Sequence, residues 1–177
     1  MPISSWQAIS DITAEIVRLS PKSVLDLGCG FGLYGAICRN YLDAMHGRCK
    51  PRDWTTSITG VEAHRGYENI QWDVYNQVNI GEFGPTHSCG GFDLVLMIDS
   101  LEHLESDKGA AFLDDLVAYN KHVIVSVPNG PMPQGAAHGN EYERHRTTFY
   151  GHEFDKYKHT VIHKSLCIAV SIEGGRV

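Results

Sequence analysis

The chain has 177 residues, 42% of them hydrophobic and 20% charged, with a formal net charge of −6 at pH 7. That length suits one domain with a buried core over residues 1–177, and the acidic balance argues against a face built for polyphosphate. No apolar run approaches the ~18 residues that span a bilayer; the start, Met1-Pro2-Ile3-Ser4-Ser5-Trp6, has neither a basic head nor an apolar signal core; and the cysteines at 29, 38, 49, 89 and 167 form no CxxC pair, so neither a zinc site nor a disulfide frame is expected. A reducing, cytoplasmic setting without membrane association is the expectation.

Trp6, Ile9, Ile12, Ile16 and Val17 recur at helical spacing after a candidate N-cap at Ser4 or Ser5, and Pro21 closes that helix. Residues 23–27 form a short apolar run and predict a buried strand. Leu33, Ala36, Ile37 and Tyr41 predict a helix from Gly32 to about Ala44. The polar stretch 46–57 is a loop, 57–62 a short strand with an acidic end, 67–72 a weak helix and 77–80 another short strand. The glycine-rich 81–91 is a loop and 92–98 a buried strand. Ser106 or Asp107 would cap a helix carrying Phe112, Leu113, Leu116 and Val117. Residues 122–127 form a strand stopped by Pro128, 129–150 are polar and irregular, 151–157 a short helix, and 159–164 and 166–172 a pair of strands. Alternation of strand and helix through residue 127 predicts a doubly wound α/β fold: a mostly parallel sheet, helices on both faces, and an antiparallel C-terminal hairpin.

In such sheets, ligands bind at the carboxyl ends of the strands. The first strand runs into Val24-Leu25-Asp26-Leu27-Gly28-Cys29-Gly30-Phe31-Gly32-Leu33-Tyr34-Gly35. Glycines there let the backbone take positive φ and let a ligand approach the main chain. The spacing is GxGxG; the dinucleotide fingerprint GxGxxG would need glycine where Leu33 stands. This moves the expectation from a nicotinamide cofactor towards S-adenosylmethionine (SAM). Glu62 ends the second strand, where a carboxylate can accept hydrogen bonds from vicinal ribose hydroxyls. It lies farther from Gly28 than the roughly 20 residues usual for such an acid, and the polar loop at 46–57 accounts for the excess. A solvated strand-end glutamate is the plainer alternative.

On these residues the chain resembles the class I SAM-dependent methyltransferases. Val24–Gly32 resembles the family's first motif, Gly60-Val61-Glu62 its second, Phe92–Leu104 its fourth-strand motif and Val123–Asn129 its fifth strand. The Leu101-Glu102-His103 form is similar to the branch that holds the ubiquinone-biosynthesis O-methyltransferases. The resemblance implies a Rossmann-like fold. It implies that Gly28 and Gly30, with the backbone around Cys29, line the amino-acid part of SAM. Asp26 would hold that turn or the SAM ammonium through water. Glu62, with Ala63 beside it, would grip the ribose, and Glu82 would face the adenine amine. Asp99 and Ser100 would lie beside the methionine moiety and the substrate.

A sulfonium is already a good leaving group, so alignment of the nucleophile supplies most of the catalysis. A hydroxyl nucleophile must also lose a proton. His103 is the first candidate base because histidine titrates near neutral pH; a bond to a backbone group at the helix start is the alternative. In Gly139-Asn140-Glu141-Tyr142-Glu143-Arg144-His145-Arg146-Thr147-Thr148-Phe149, Arg146 could clamp a substrate carboxylate or phosphate and His145 could be a second base. The alternative is a solvated loop in which Glu143 and Arg146 pair. His138, His145 and His152 are evenly spaced, but no helix brings them together, and no metal site is expected. Asp99-Ser100-Leu101-Glu102 stands where an Asn-Pro-Pro-Tyr or Asp-Pro-Pro-Tyr motif would support methylation of DNA adenine, so DNA is disfavoured. Protein and RNA acceptors stay open, as does the oligomeric state. The leading expectation is methyl transfer from SAM to an O or N atom of a small molecule. A non-catalytic SAM-binding module and a nicotinamide oxidoreductase are the alternatives.

Overall fold

The computed structural model of the chain describes residues 4–84, 89–137 and 139–175. Seven strands, β1 (Ser23–Leu27), β2 (Ser57–Glu62), β3 (Gln77–Ile80), β4 (Leu94–Ile98), β5 (His122–Pro128), β6 (His159–Lys164) and β7 (Cys167–Glu173), make one sheet in the order β3-β2-β1-β4-β5-β7-β6. The first five are parallel; β7 runs antiparallel to both β5 and β6. Among the described residues, three α-helices accompany them: α1 (Ile9–Leu19), α2 (Leu33–Leu42) and α3 (Ser106–Tyr119). This is the expected doubly wound, mostly parallel architecture with its C-terminal hairpin.

The period-two alternation of the strands divides the interior into two cores. Val24, Ile58, Leu94, Leu96 and Ile124 pack beneath α1 and α2, with Ile12, Ile16, Tyr34, Cys38 and Leu42. Leu25, Leu27, Val95, Met97, Val123 and Val125 face the other way, onto Phe112, Leu113 and Leu116 of α3. A central strand buried on both faces reads as a continuous apolar run, which is why β4 was plain in the sequence. The sheet order turns back between β1 and β4, and a crevice opens at their carboxyl ends.

Several local expectations need correction. Trp6 is 77% exposed, because residues 6–8 form a 3-10 turn whose threefold period rotates Trp6 off the Ala8-Ile12-Ile16 stripe. Val17 and Tyr41 are also exposed, at the edges of their stripes. Neither Ser4 nor Ser5 caps α1 through its side chain; the N-cap is Ala8. The helix ends at left-handed Ser20, whose N–H reaches Ile16 O at 3.0 Å, one residue before Pro21. Residues 67–72 and 151–157 hold 3-10 turns rather than α-helix. The N-cap of α3 is Glu105, without a side-chain cap, rather than Ser106 or Asp107. Strand β4 starts two residues late because the Asp93 carboxylate accepts from the N–H groups of Lys22 and Ser23, at 2.9 and 3.2 Å. Among the described residues, no helix is long and apolar enough to cross a membrane.

Candidate functional site

The turn after β1 is built by its glycines. Gly28, Gly30 and Gly32 take φ of 75°, 52° and 93°. The N–H groups of Gly28 and Cys29 both donate to Val61 O, at 2.9 and 3.1 Å, which pins the turn against β2. A Cβ on Gly28 would lie 2.6 Å from Ser100 Oγ. Space and backbone angle therefore both demand glycine there. The Ser100 hydroxyl has Leu27 O and Ile98 O within reach at 3.0 and 2.9 Å, so its one proton serves the backbone beneath the turn.

Around this turn opens a cavity of about 530 Å³. Asp26, Gly28, Cys29, Gly30, Glu62, Ala63, Glu82, Asp99, Ser100, His103 and Arg146 all line it. The sequence candidates from four strand ends and a distant loop thus share one wall-to-wall space. His145 is the exception. It does not line the cavity but packs edge-on against His103, with ring centroids 5.0 Å apart.

Glu62 is buried and its carboxylate is held rigidly. Oε2 accepts from Gly30 N at 2.9 Å and Oε1 from His64 N at 2.7 Å. Burial pushes its pKa up, and those two N–H groups oppose the shift. Each oxygen keeps a further lone pair for a ligand hydroxyl. Asp26 is more deeply placed. It stands on the α1–α2 face of β1, where alternation would put an apolar residue, and burial raises its pKa to about 7. Tyr75 supplies its partner: the phenol donates to Asp26 Oδ2 at 2.6 Å and accepts from Gly35 N at 3.1 Å. Gly35 leaves room for this ring, since a Cβ there would sit 2.1 Å from Tyr75 Cζ.

Asp99 follows β4 in the left-handed region, at φ 47°. Its carboxylate accepts from Ser5 N at 2.8 Å and from the Ser126 hydroxyl. A strained non-glycine residue at a strand end facing a cavity is a common mark of a functional position. Glu82 is exposed at the far rim and accepts from the Tyr142 hydroxyl at 3.0 Å. That bond brings the polar 129–150 stretch to the rim.

The same stretch lines the cavity through Asn140, Tyr142, Glu143 and Arg146. The N–H groups of Arg146 and Thr147 both donate to Glu102 O, at 2.8 and 3.1 Å. Tyr67 reaches in from the turn Arg65–Tyr67, donating to Glu143 Oε1 at 2.7 Å and accepting from Asn140 Nδ2 at 2.9 Å. Glu143 thus bonds Tyr67, and it is Arg144 that pairs with a loop carboxylate, Glu141, at 2.9 Å. His103 presents Nδ1 to Arg144 O at 3.1 Å. Burial holds its pKa below the ordinary histidine value. His152 stacks on Tyr150, away from this group, and His138 lies outside the described residues.

Sequence reasoning missed Tyr75, Tyr67 and Asn140. No local pattern marks them: Tyr75 meets a carboxylate on another strand, and Tyr67 and Asn140 matter only because a loop folds back. Glu102 stood within the quoted fourth-strand motif without a role of its own.

Comparison with known proteins places this arrangement. No curated protein matches at the level of sequence. Among solved structures, the N-terminal domain of EvdMO1 with SAH bound superposes with a TM-score of 0.65 at 16% identity, over 97% of this chain and 82% of that one. The methyltransferase domain of bacterial CtHen1-C gives 0.61 at 18% identity, over 96% and 98%. An O-methyltransferase family protein from Burkholderia thailandensis gives 0.64 at 12% identity, over 95% and 55%. At such identities the likeness is one of fold. The family described as "Methyltransferase domain" matches residues 6–162, nearly the whole sequence, and the chain belongs to that family.

Proposed function

We propose that this protein transfers the methyl group of S-adenosylmethionine to an oxygen or nitrogen atom of a small-molecule acceptor. The observation that carries the reading is a single cavity lined both by the glycine turn, Asp26, Glu62 and Ala63 and by His103 and Arg146. The volume, about 530 Å³, suits a ligand of drug size.

The residues present fit the donor. The Gly28–Gly30 segment lines the cavity, and its backbone can lie against the amino-acid part of the donor. Glu62, buried and fixed by two N–H groups, can accept from vicinal ribose hydroxyls. Asp26 underpins the turn, Glu82 in the cavity wall is the candidate for the adenine amine, and Asp99 and Ser100 line the cavity beside the turn. When bound, the donor supplies an electrophilic methyl group on a sulfonium that leaves readily. The chain's task is then alignment. Exposed Arg146 offers a fork for an anionic group of the acceptor. His103, its pKa lowered by burial, lines the same cavity, and His145 packs edge-on against it. Five cysteines, none paired, support a reducing cytoplasmic setting.

The test is release of S-adenosylhomocysteine across a panel of phenols, carboxylates, amines and sugar hydroxyls. Turnover with one class, lowered in Arg146→Ala for its anionic members, is the expected result. Donor binding with no turnover on any acceptor would favour the non-catalytic binding module instead.

A further inference from the structure

Glu102, His103 and His145 meet at the part of the cavity wall that His103 forms. One ligating atom from each lies within 4.8 Å of the other two. Glu102 is 2% exposed, and its Oε2 is buried without a hydrogen-bond partner. A buried carboxylate oxygen left unsatisfied is costly, and native structures seldom keep one without a reason. A bound cation would satisfy that oxygen.

The two imidazoles are set up to supply the rest of a ligand set. His103 Nδ1 lies 3.1 Å from Arg144 O, and His145 Nδ1 lies 2.6 Å from Met132 O. A carbonyl can only accept, so each Nδ1 carries the hydrogen. Each neutral ring then keeps its lone pair on Nε2. Metal-ligating histidines are oriented in this way, by donating the other ring N–H to a backbone carbonyl. The backbone fixes the two segments against each other through the Arg146 and Thr147 N–H bonds to Glu102 O, so the three groups are assembled before any ion arrives.

We propose that Glu102, together with Nε2 of His103 and Nε2 of His145, binds a divalent transition-metal ion. Two imidazoles and one carboxylate suit zinc, manganese, iron or cobalt better than magnesium or calcium, which prefer all-oxygen shells. The even spacing of His138, His145 and His152 gave no hint of this, because the fold brings His145 to residues 102 and 103, which are distant in sequence. Three protein ligands leave open positions, and His103 is itself part of the cavity wall. The lone pair of His103 therefore goes to the ion rather than to the acceptor's proton.

A consequence rests on the methyltransferase reading: the acceptor is a hydroxyl compound. An ion at this site lowers the pKa of the hydroxyl it holds. The hydroxyl proton leaves to solvent, an oxygen lone pair forms the new O–C bond, and the C–S bond electrons return to sulfur.

Cobalt(II) is the probe, titrated into the full-length protein and followed by its visible ligand-field absorption, with zinc as competitor. Glu102→Gln and His145→Gln keep the size of each side chain. One equivalent of cobalt bound by the wild type, with affinity down by more than about tenfold in each variant, supports the proposal. No stoichiometric binding, or equal affinity in all three proteins, overturns it. SAM titrated into the same samples reports on the donor site separately and verifies that the variants are folded. Cobalt binding without SAM binding would defeat the donor reading and leave the ion site standing. SAM binding without cobalt binding would defeat the ion site alone.

Discussion

Gly35 shows how competing effects of one methyl group can be weighed. Alanine inside an exposed helix gains roughly 0.5–1 kcal/mol over glycine. Here the added Cβ would sit 2.1 Å from Tyr75 Cζ, and overpacking of that kind costs ~1–3 kcal/mol. The ring is buried and its hydroxyl is tied to Asp26, so it cannot swing aside cheaply. Gly35→Ala is therefore expected to destabilise the protein in urea denaturation; a more stable variant would show that Tyr75 is not held as described. Asp26 gives a second expectation with a definite sign. Its folded pKa, about 7, lies above its ordinary value of 3.8. The folded state thus binds this proton more tightly than the unfolded state. The stabilisation is fully present below about pH 4 and is lost as the pH climbs through 7. Denaturation at a series of pH values should show a shallower fall between pH 4 and 7 for Asp26→Asn than for the wild type. Parallel curves would return Asp26 to an ordinary titration. The sequence marked Asp26, Gly28, Glu62, Asp99 and His103 because each sits where an apolar strand run stops. It could not mark Tyr75, which precedes a weak strand and acts on a carboxylate at the centre of the sheet.

At the scale of elements, the polar stretch 129–150 carries most of what the sequence left open. Among its described residues it has almost no regular structure, the turn Glu141–Glu143 and an isolated bridge between Ala137 and Asn140, so no periodicity could announce its path. Its position comes from point contacts: Arg146 and Thr147 on Glu102, Tyr142 on Glu82, and Tyr67 on Glu143 and Asn140. Tyr67→Phe removes two of those bonds, each worth about 1 kcal/mol, and leaves the ring contact with Phe31 in place. The expected result is faster cleavage within 129–150 in limited proteolysis, with Tm lowered by several degrees. An unchanged cleavage pattern would mean that the loop is held by other means. The strands were legible for the opposite reason. Strand β4 is buried along its whole length, and its apolar run needs no partner to be read. Trp6 illustrates the limit of periodicity, since one 3-10 turn before α1 moved a large aromatic ring from the expected core to solvent.

At the scale of the molecule, the sheet order β3-β2-β1-β4-β5-β7-β6 gathers residues from both ends of the chain around one crevice. Ser5 bonds Asp99, and Cys167 pairs in register with Pro128. The alternation of strands and helices revealed the parallel sheet and its closing hairpin. It did not reveal that the loop 129–150 lines the same crevice as the glycine turn. The central claim is that the Gly28–Gly32 turn and Glu62 together cradle a methyl donor. Calorimetric titration of the wild type and Glu62→Ala with SAM, with NADH as the control, tests it most directly. SAM should bind the wild type, bind Glu62→Ala more weakly by about 1–3 kcal/mol as charge-assisted hydrogen bonds are lost, and NADH should bind neither. NADH binding without SAM binding, or SAM affinity indifferent to Glu62, would contradict the account.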